Sequence, residues 1–201
     1  MYNELLWIFA QLPDGYIVLD TETTGLPDEK GLPDIVTLGI TVVRKREIAE
    51  SVEFETRPKR RISEEAQAVH GINNDQAAGF ESIESQWNQI ADYLSDQLVV
   101  IHNASFDWPI LLDHIVRYQL KMPSIKGVFC SQKAAFPWAQ AMNIRCSHRG
   151  PSLDTLTGVL GVDDLRAGGY EIHGAKIDSL QAAQVVEVLR NYEDLDLIVA
   201  G

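Results

Sequence analysis

Asp20 and Glu22 stand in DTETTG, directly after the apolar run Tyr16-Ile17-Val18-Leu19. The two-residue period of a strand turns both side chains to one face, and acids that continue a buried strand are costly unless paired or metal-bound. Two solvated acids at an exposed strand end fit the same residues. A second group, HNASFD at 102–107, follows the apolar run 98–101. Strand-to-helix junctions at the carboxyl ends of a sheet are where α/β proteins collect ligands. Asn103 and Asp107 share a face if this turn is helical. Asn103 or Ser105 as an N-cap, with Asp107 answering the helix dipole, is compatible with that. Pro109 places the helix start close by, because Pro is best tolerated in a first turn. The third group is His173-Gly174-Ala175-Lys176-Ile177-Asp178. Ala182, Val185, Val186 and Leu189 follow it as a helical apolar stripe, and Asp178 falls on the same stripe. His173 belongs to the approach loop, where a solvated His is the plain alternative.

Taken together, Asp20, Glu22, Asp107 and Asp178 are oxygen donors from three segments, suited to Mg²⁺ or Mn²⁺ and poorly suited to zinc. Such a set can hold two ions ~3.5–4 Å apart, the spacing that clamps attacking and leaving oxygens in phosphoryl chemistry. A His of ordinary pKa beside them suits a general base acting on water.

The elements that must position these groups follow from the apolar pattern. Residues 16–19, 35–43 and 48–56 read as strands, the last two joined across Arg44-Lys45-Arg46-Glu47, so the three form an antiparallel meander. Ser63 before Glu64 and Glu65 is a helix start. Residues 81–95, 105–120 and 178–191 read as helices, and 98–101 as a buried strand. This order predicts an α/β chain with a mixed sheet flanked by helices.

The chain has 201 residues, 45% of them hydrophobic, which fits one domain over 1–201. Cys130 and Cys146 are its two cysteines, too few for a disulfide scaffold and without zinc-ligand spacing. The apolar stretch Leu5–Ala10 is too short for a signal segment and no run reaches membrane-spanning length, so the expectation is a cytoplasmic protein with no membrane role. A net charge of −12 argues at first sight against a nucleic-acid partner.

The three motifs, in this order, resemble those of the DEDDh exonucleases, the RNase H-like 3′–5′ exonucleases that include polymerase proofreading subunits, RNase T and oligoribonuclease. ISEEAQAVHGIN at 62–73 and RGPSLDTLTGVLGV at 149–162 resemble further stretches of that family, so the similarity spans roughly 15–190. It implies an RNase H-like, mixed five-stranded sheet, the meander plus parallel strands, flanked by helices. It also implies two ions, Mg²⁺ or Mn²⁺, with Asp20 bridging both and Glu22, Asp107 and Asp178 completing the set. His173 would deprotonate the attacking water, releasing nucleoside 5′-monophosphates from the 3′ end of single-stranded DNA or RNA, DNA slightly favoured. Thr23, Thr24, Gly25 and Leu26 match the loop that holds the terminal nucleotide, Leu26 packing on a base, and Asn103 and Phe106 match positions lining the same cleft. A polymerase or other replication or repair protein is the partner it implies.

Thr37-Leu38-Gly39 lacks the Glu that relatives often carry before Leu-Gly, and Cys130-Ser131 stands where they often open a helix with Asp-Thr. Residues 161–175 look longer than the usual approach to the base, and Gly168-Gly169 is a candidate hinge for a flap carrying His173. Basic residues gather at 44–46, at 57–61 and around Arg145, His148 and Arg149, where the last cluster, with Phe136 and Trp138 nearby, is a candidate phosphate contact. The competing functions are a non-catalytic nucleic-acid-binding or scaffold module, an exoribonuclease or oligoribonuclease, and an unrelated Mg²⁺ phosphatase. Retention of all four acids and the His argues against the module. The acidic balance then describes an enzyme with a weak grip on long polyanions, distributive and salt-sensitive.

Overall fold

The computed structural model describes residues 3–166 and 174–191. His173 and the Gly168-Gly169 hinge therefore lie outside the described residues. Five strands form one sheet in the order β3-β2-β1-β4-β5. β1 (Tyr16–Thr23), β2 (Ile35–Arg44) and β3 (Glu47–Glu55) are the antiparallel meander, while β4 (Leu98–Ile101) and β5 (Gly127–Cys130) run parallel to β1. The mixed sheet flanked by helices is thus the architecture the sequence predicts.

The tight turn between β2 and β3 places Lys45 and Arg46 at φ 52° and 66°. Two consecutive left-handed residues match the twist of a two-residue hairpin. This makes 44–46 a solvated turn, with Arg46 paired to Glu187 at 3.6 Å.

Helices cover both faces. On one side lie α1 (Trp7–Ala10), α6 (Ser131–Ala141), α7 (Leu153–Leu160) and α8 (Ala175–Arg190). Tyr16 and Val18 of β1 meet Ala182, Val185, Val186 and Leu189 of α8 there, with Phe9 and Trp138 beside them. Trp138 is fully buried, so it belongs to this core and not to a stacking surface. On the other side α4 (Ile83–Leu94) and α5 (Ala104–Arg117) pack on Ile17, Leu19, Val99 and Ile101. Alternation along β1 thus sends even-numbered side chains to α8 and odd-numbered ones to α4 and α5. α2 (Glu64–His70) and α3 (Asn74–Ala78) form a small satellite around Val36 and Ile62. Ser63 caps α2 by accepting from the Ala66 N–H at 3.1 Å, as its sequence position predicts.

Some boundaries differ from expectation. β1 runs through the acids to Thr23, so Asp20 and Glu22 are part of the strand and not its solvated end. α5 begins at Ala104, which puts Pro109 inside the helix beyond its first turn. α8 begins at Ala175, making Asp178 a first-turn residue. No described helix is long and apolar enough to cross a membrane.

Candidate active site

The register Asp20↔Gly39 and Glu22↔Thr37 places both acids on the α8 side of the sheet, past the point where apolar packing ends at Val18. α8 can reach this far because Gly39 has no side chain. A Cβ there would lie 2.1 Å from the Ala175 carbonyl oxygen and 2.5 Å from the Lys176 nitrogen. The helix start is tied down further by Glu53, which accepts from the Lys176 N–H at 3.0 Å, and by Thr41 against Ser179 at 3.0 Å. One turn into α8, Asp178 consequently faces the strand. Asp20, Glu22 and Asp178 each bring a carboxylate oxygen into a group whose members lie within 4.8 Å of one another.

Asp107 approaches from the parallel side. It is 3% exposed, and its Oδ1 accepts from both the Thr21 N–H (3.1 Å) and the Thr21 hydroxyl (2.7 Å). Thr21 therefore fixes the α5 carboxylate to the strand that carries the other two acids. Asn103, at φ 71°, turns β4 into α5, but its side chain makes no capping bond; its Oδ1 accepts from the Ser105 hydroxyl at 2.8 Å. His102 anchors the same turn, with Nδ1 3.1 Å from the Ser131 hydroxyl and Nε2 3.2 Å from the Pro151 carbonyl oxygen. The Ser of Cys130-Ser131 thus supplies the hydroxyl that joins α6 to the second motif.

The electrostatics are those of crowded anions. Burial, then Asp107, Asp178 and Glu22, hold the Asp20 carboxyl well above the usual range. Burial, then Asp178 and Asp107, push Glu22 up to about 8. Asp107 is raised to about 6, chiefly by burial, with the Thr21 hydrogen bonds pulling the other way. Acids in such a set stay ionised together only if cations join them. All the donors are carboxylate oxygens, the hard ligands that Mg²⁺ and Mn²⁺ prefer, so the residues fit divalent ions of that class.

Beside the acids opens a largely apolar cavity of about 480 Å³, lined among others by Glu22, Thr23, Gly25, Leu26, Val69, His70 and Phe106. Leu26 is 76% exposed at its rim. The loop is held in shape by Thr23 Oγ1 donating to the Gly25 carbonyl (2.8 Å) and by Thr24, whose N–H donates to the Asp34 carbonyl (2.8 Å). Thr24 itself is buried and lines a second, more polar cavity with Gly25, Leu26, Lys30, Arg60 and Arg61. Asn103 stands at the start of α5 and is not among the residues lining this cavity.

Four residues that spacing alone does not reveal support this arrangement: Thr21, Gly39, Asp34 and Arg166. Asp34 is fully buried and accepts from the Lys59 and Arg60 N–H groups, both at 2.7 Å, and from Arg117 at 2.6 Å. Arg166 pairs with Asp178 at 2.7 Å. Its only sequence signal is a lone basic residue in the acidic stretch before the third motif.

A parallel-and-antiparallel sheet with carboxylates converging between β1, α5 and α8 defines an RNase H-like nuclease fold. The sequence pattern of the exonuclease (RNase T) family matches residues 17–186, and the chain belongs to that family of nucleic-acid hydrolases. The DNA polymerase III subunit epsilon of Rickettsia prowazekii (strain Madrid E) is 28% identical over 179 residues, covering 86% of this chain and 72% of that protein. The PolC-type DNA polymerase III of Thermotoga maritima is 27% identical over 170 residues, 85% of this chain, and the chain spans only 11% of that polymerase. Among solved structures, Exonuclease X in complex with 5′ overhanging duplex DNA shares the fold at TM-score 0.63 and 24% identity, over 90% of this chain and 95% of that one. The nuclease domain of 3′hExo, a DEDDh family member bound to rAMP, does so at TM-score 0.69 and 16% identity, over 92% and 94%.

Proposed function

We propose that this protein is a divalent-metal-dependent 3′–5′ exonuclease acting on single strands, with DNA slightly favoured over RNA. The observation that carries the reading is the convergence of Asp20, Glu22 and Asp178 within 4.8 Å beside a nucleotide-sized apolar cavity. Asp20, Glu22, Asp107 and Asp178 would hold two ions, Mg²⁺ or Mn²⁺. Bound ions would supply charge compensation to the attacking and leaving oxygens of the phosphodiester.

The chain's own residues do the rest. Leu26 and Phe106 receive the terminal base, and Thr23 and Gly25 shape the backbone that meets the sugar end. Thr21 holds Asp107 in register with the strand acids. His173 takes the proton from the attacking water, a role resting on its place in the third motif. Water adds to phosphorus, the bond to the 3′ oxygen of the preceding nucleotide breaks, that oxygen takes up a proton to become the strand's new 3′-OH, and a nucleoside 5′-monophosphate leaves.

The relatives named as a DNA polymerase III subunit epsilon and as a PolC-type DNA polymerase III support DNA as substrate and a polymerase or other replication or repair protein as partner. Digestion of 5′-labelled single-stranded DNA, single-stranded RNA and dinucleotides, side by side with Mg²⁺ and with chelator, tests the substrate, the polarity and the need for the ion. Stepwise shortening of the DNA that requires the ion is the expected result. Release of label as a mononucleotide in the first turnovers would show attack from the other end and overturn the polarity. Faster loss of RNA or dinucleotides would reassign the substrate.

A further inference from the structure

Arg166, between α7 and α8, is clamped between two acids. Its Nε donates to Asp178 Oδ1 at 2.9 Å, its NH2 lies 2.7 Å from the same oxygen as an ion pair, and its NH1 donates to Asp154 Oδ1 at 2.6 Å. The arginine and Asp178 side chains are 14% and 8% exposed, whereas Asp154, in the first turn of α7, is 71% exposed. The backbone delivers the guanidinium to this place: the Leu165 N–H donates to the buried Gln181 Oε1 at 2.9 Å, and the Arg166 N–H to Asp164 at 2.9 Å. Among the described residues, Arg166 is also a cation that offsets the burden on Asp20 and Glu22.

A guanidinium stays charged at any accessible pH, so its attraction for Asp178 is permanent. A divalent ion on the same cluster draws on the same carboxylate. The two cations repel each other, and each satisfies charge the other needs. Asp154 gives the guanidinium a second partner, accessible and one bond away, onto which its weight can shift.

We propose that Arg166 sets the divalent-ion affinity of the acid cluster by competing for Asp178, with Asp154 as the alternative partner that relieves the competition. This rests on the assignment of the four carboxylates to divalent ions. Arg166 is then a positioning residue that acts through Asp178.

The test is calorimetric titration of Mn²⁺ into the full chain without nucleic acid, for the wild type, Arg166→Gln, Arg166→Lys, Asp154→Asn and the Arg166→Gln/Asp154→Asn double variant. Removing a unit charge in contact with a ligand acid should tighten binding in Arg166→Gln by at least about threefold. Arg166→Lys, which keeps the charge, should lie near the wild type. Asp154→Asn should weaken binding, and that effect should vanish in the double variant, because residues acting through one partner are not additive. Unchanged or weaker binding in Arg166→Gln overturns the proposal, as does an Asp154→Asn effect that survives the loss of Arg166. If Arg166→Gln shows no cooperative melting, Asp154→Asn at its exposed position decides: weaker binding supports the competition and unchanged binding overturns it. A wild type that takes up no Mn²⁺ sinks the metal assignment itself, whereas a wild type that binds with flat variants sinks only the role of Arg166.

Discussion

Gly39 and Ala175 touch backbone to side-chain space: a β-carbon on Gly39 would sit 2.1 Å from the Ala175 carbonyl oxygen. Gly39 is also the register partner of Asp20. A close approach of α8 to the sheet therefore falls directly beside the strand acid that Asp178 must meet. A Gly39→Ala protein has to lift the start of α8, since the obstructing atoms are backbone and cannot rotate away. Overpacking of this kind costs about 1–3 kcal/mol. The same displacement draws Asp178 from Asp20 and Glu22, so activity should fall by about a hundredfold, the scale expected for ångström-level misplacement. Thermal melting and single-turnover cleavage check it, and a variant with lowered melting temperature but wild-type cleavage would show that the approach serves packing only.

The four acids were legible before the fold because chemistry constrains them locally. An acid two residues from another in a strand, or on the apolar stripe of a helix, contradicts burial unless a cation is near. The strands from Tyr16 to Glu55 and helices α4, α5 and α8 were legible for a similar reason, carrying long or strongly periodic apolar patterns. Short elements were not: β5 has no fully buried residue, and α3 and α7 are brief. Asp34 and Gly39 escaped because each matters through a residue far away in the chain, and Arg166 because its two acids, twelve residues to either side, reach it only through the packing of α7 and α8. Nothing near Asp34 announces that Lys59, Arg60 and Arg117 converge on it, and a glycine in a strand does not say which backbone approaches. Ser131 is intermediate, since the sequence marks Cys130-Ser131 as a departure where relatives often open a helix with Asp-Thr, while its partner, His102, emerges only from the packing.

The crowding of the carboxylates predicts a conflict between activity and stability. Glu22 is raised from 4.5 to about 8 and Asp107 from 3.8 to about 6. A carboxyl whose folded pKa lies above its unfolded one binds more protons when folded. Stability is therefore lost as pH rises between those values, here from about 4 to 8. Asp20→Asn removes one of the repelling charges and should raise the melting temperature in chelator at pH 8 by about 2–4 °C, roughly 1 kcal/mol for a domain of this size. Cleavage should be abolished in the same protein. Mg²⁺ should also raise the wild-type melting temperature more at pH 8 than at pH 5, where protons already neutralise the cluster. An Asp20→Asn protein that melts lower than the wild type in chelator at pH 8 would contradict the repulsion.

Asp34 carries the opposite sign. Burial alone would raise its pKa, but the Arg60 N–H, the Arg117 guanidinium and the Lys59 N–H outweigh burial and hold it below the usual value. Its backbone is linked to Thr24 in both directions, the Asp34 N–H donating to Thr24 Oγ1 at 3.0 Å, so this buried carboxylate braces the loop that carries Gly25 and Leu26. Replacing it by Ala strands two backbone donors and takes from the Arg117 guanidinium one of its two carboxylate partners, leaving Asp113 at 2.6 Å, at a cost of about 3 kcal/mol. A group with a depressed folded pKa contributes stability above its unfolded pKa and loses it as pH falls through the folded one. The destabilisation of Asp34→Ala relative to the wild type should therefore be full at pH 7 and shrink in acid below pH ~4, the ordinary Asp range. Because the loop meets substrate while the acids stand on other elements, KM should rise about tenfold with kcat within about threefold, the pattern of lost uniform binding. Denaturant titrations at pH 7 and pH 3, with initial rates over a range of strand concentrations, measure both effects. A kcat that collapses while KM holds would place Asp34 in support of the carboxylates and not of the loop.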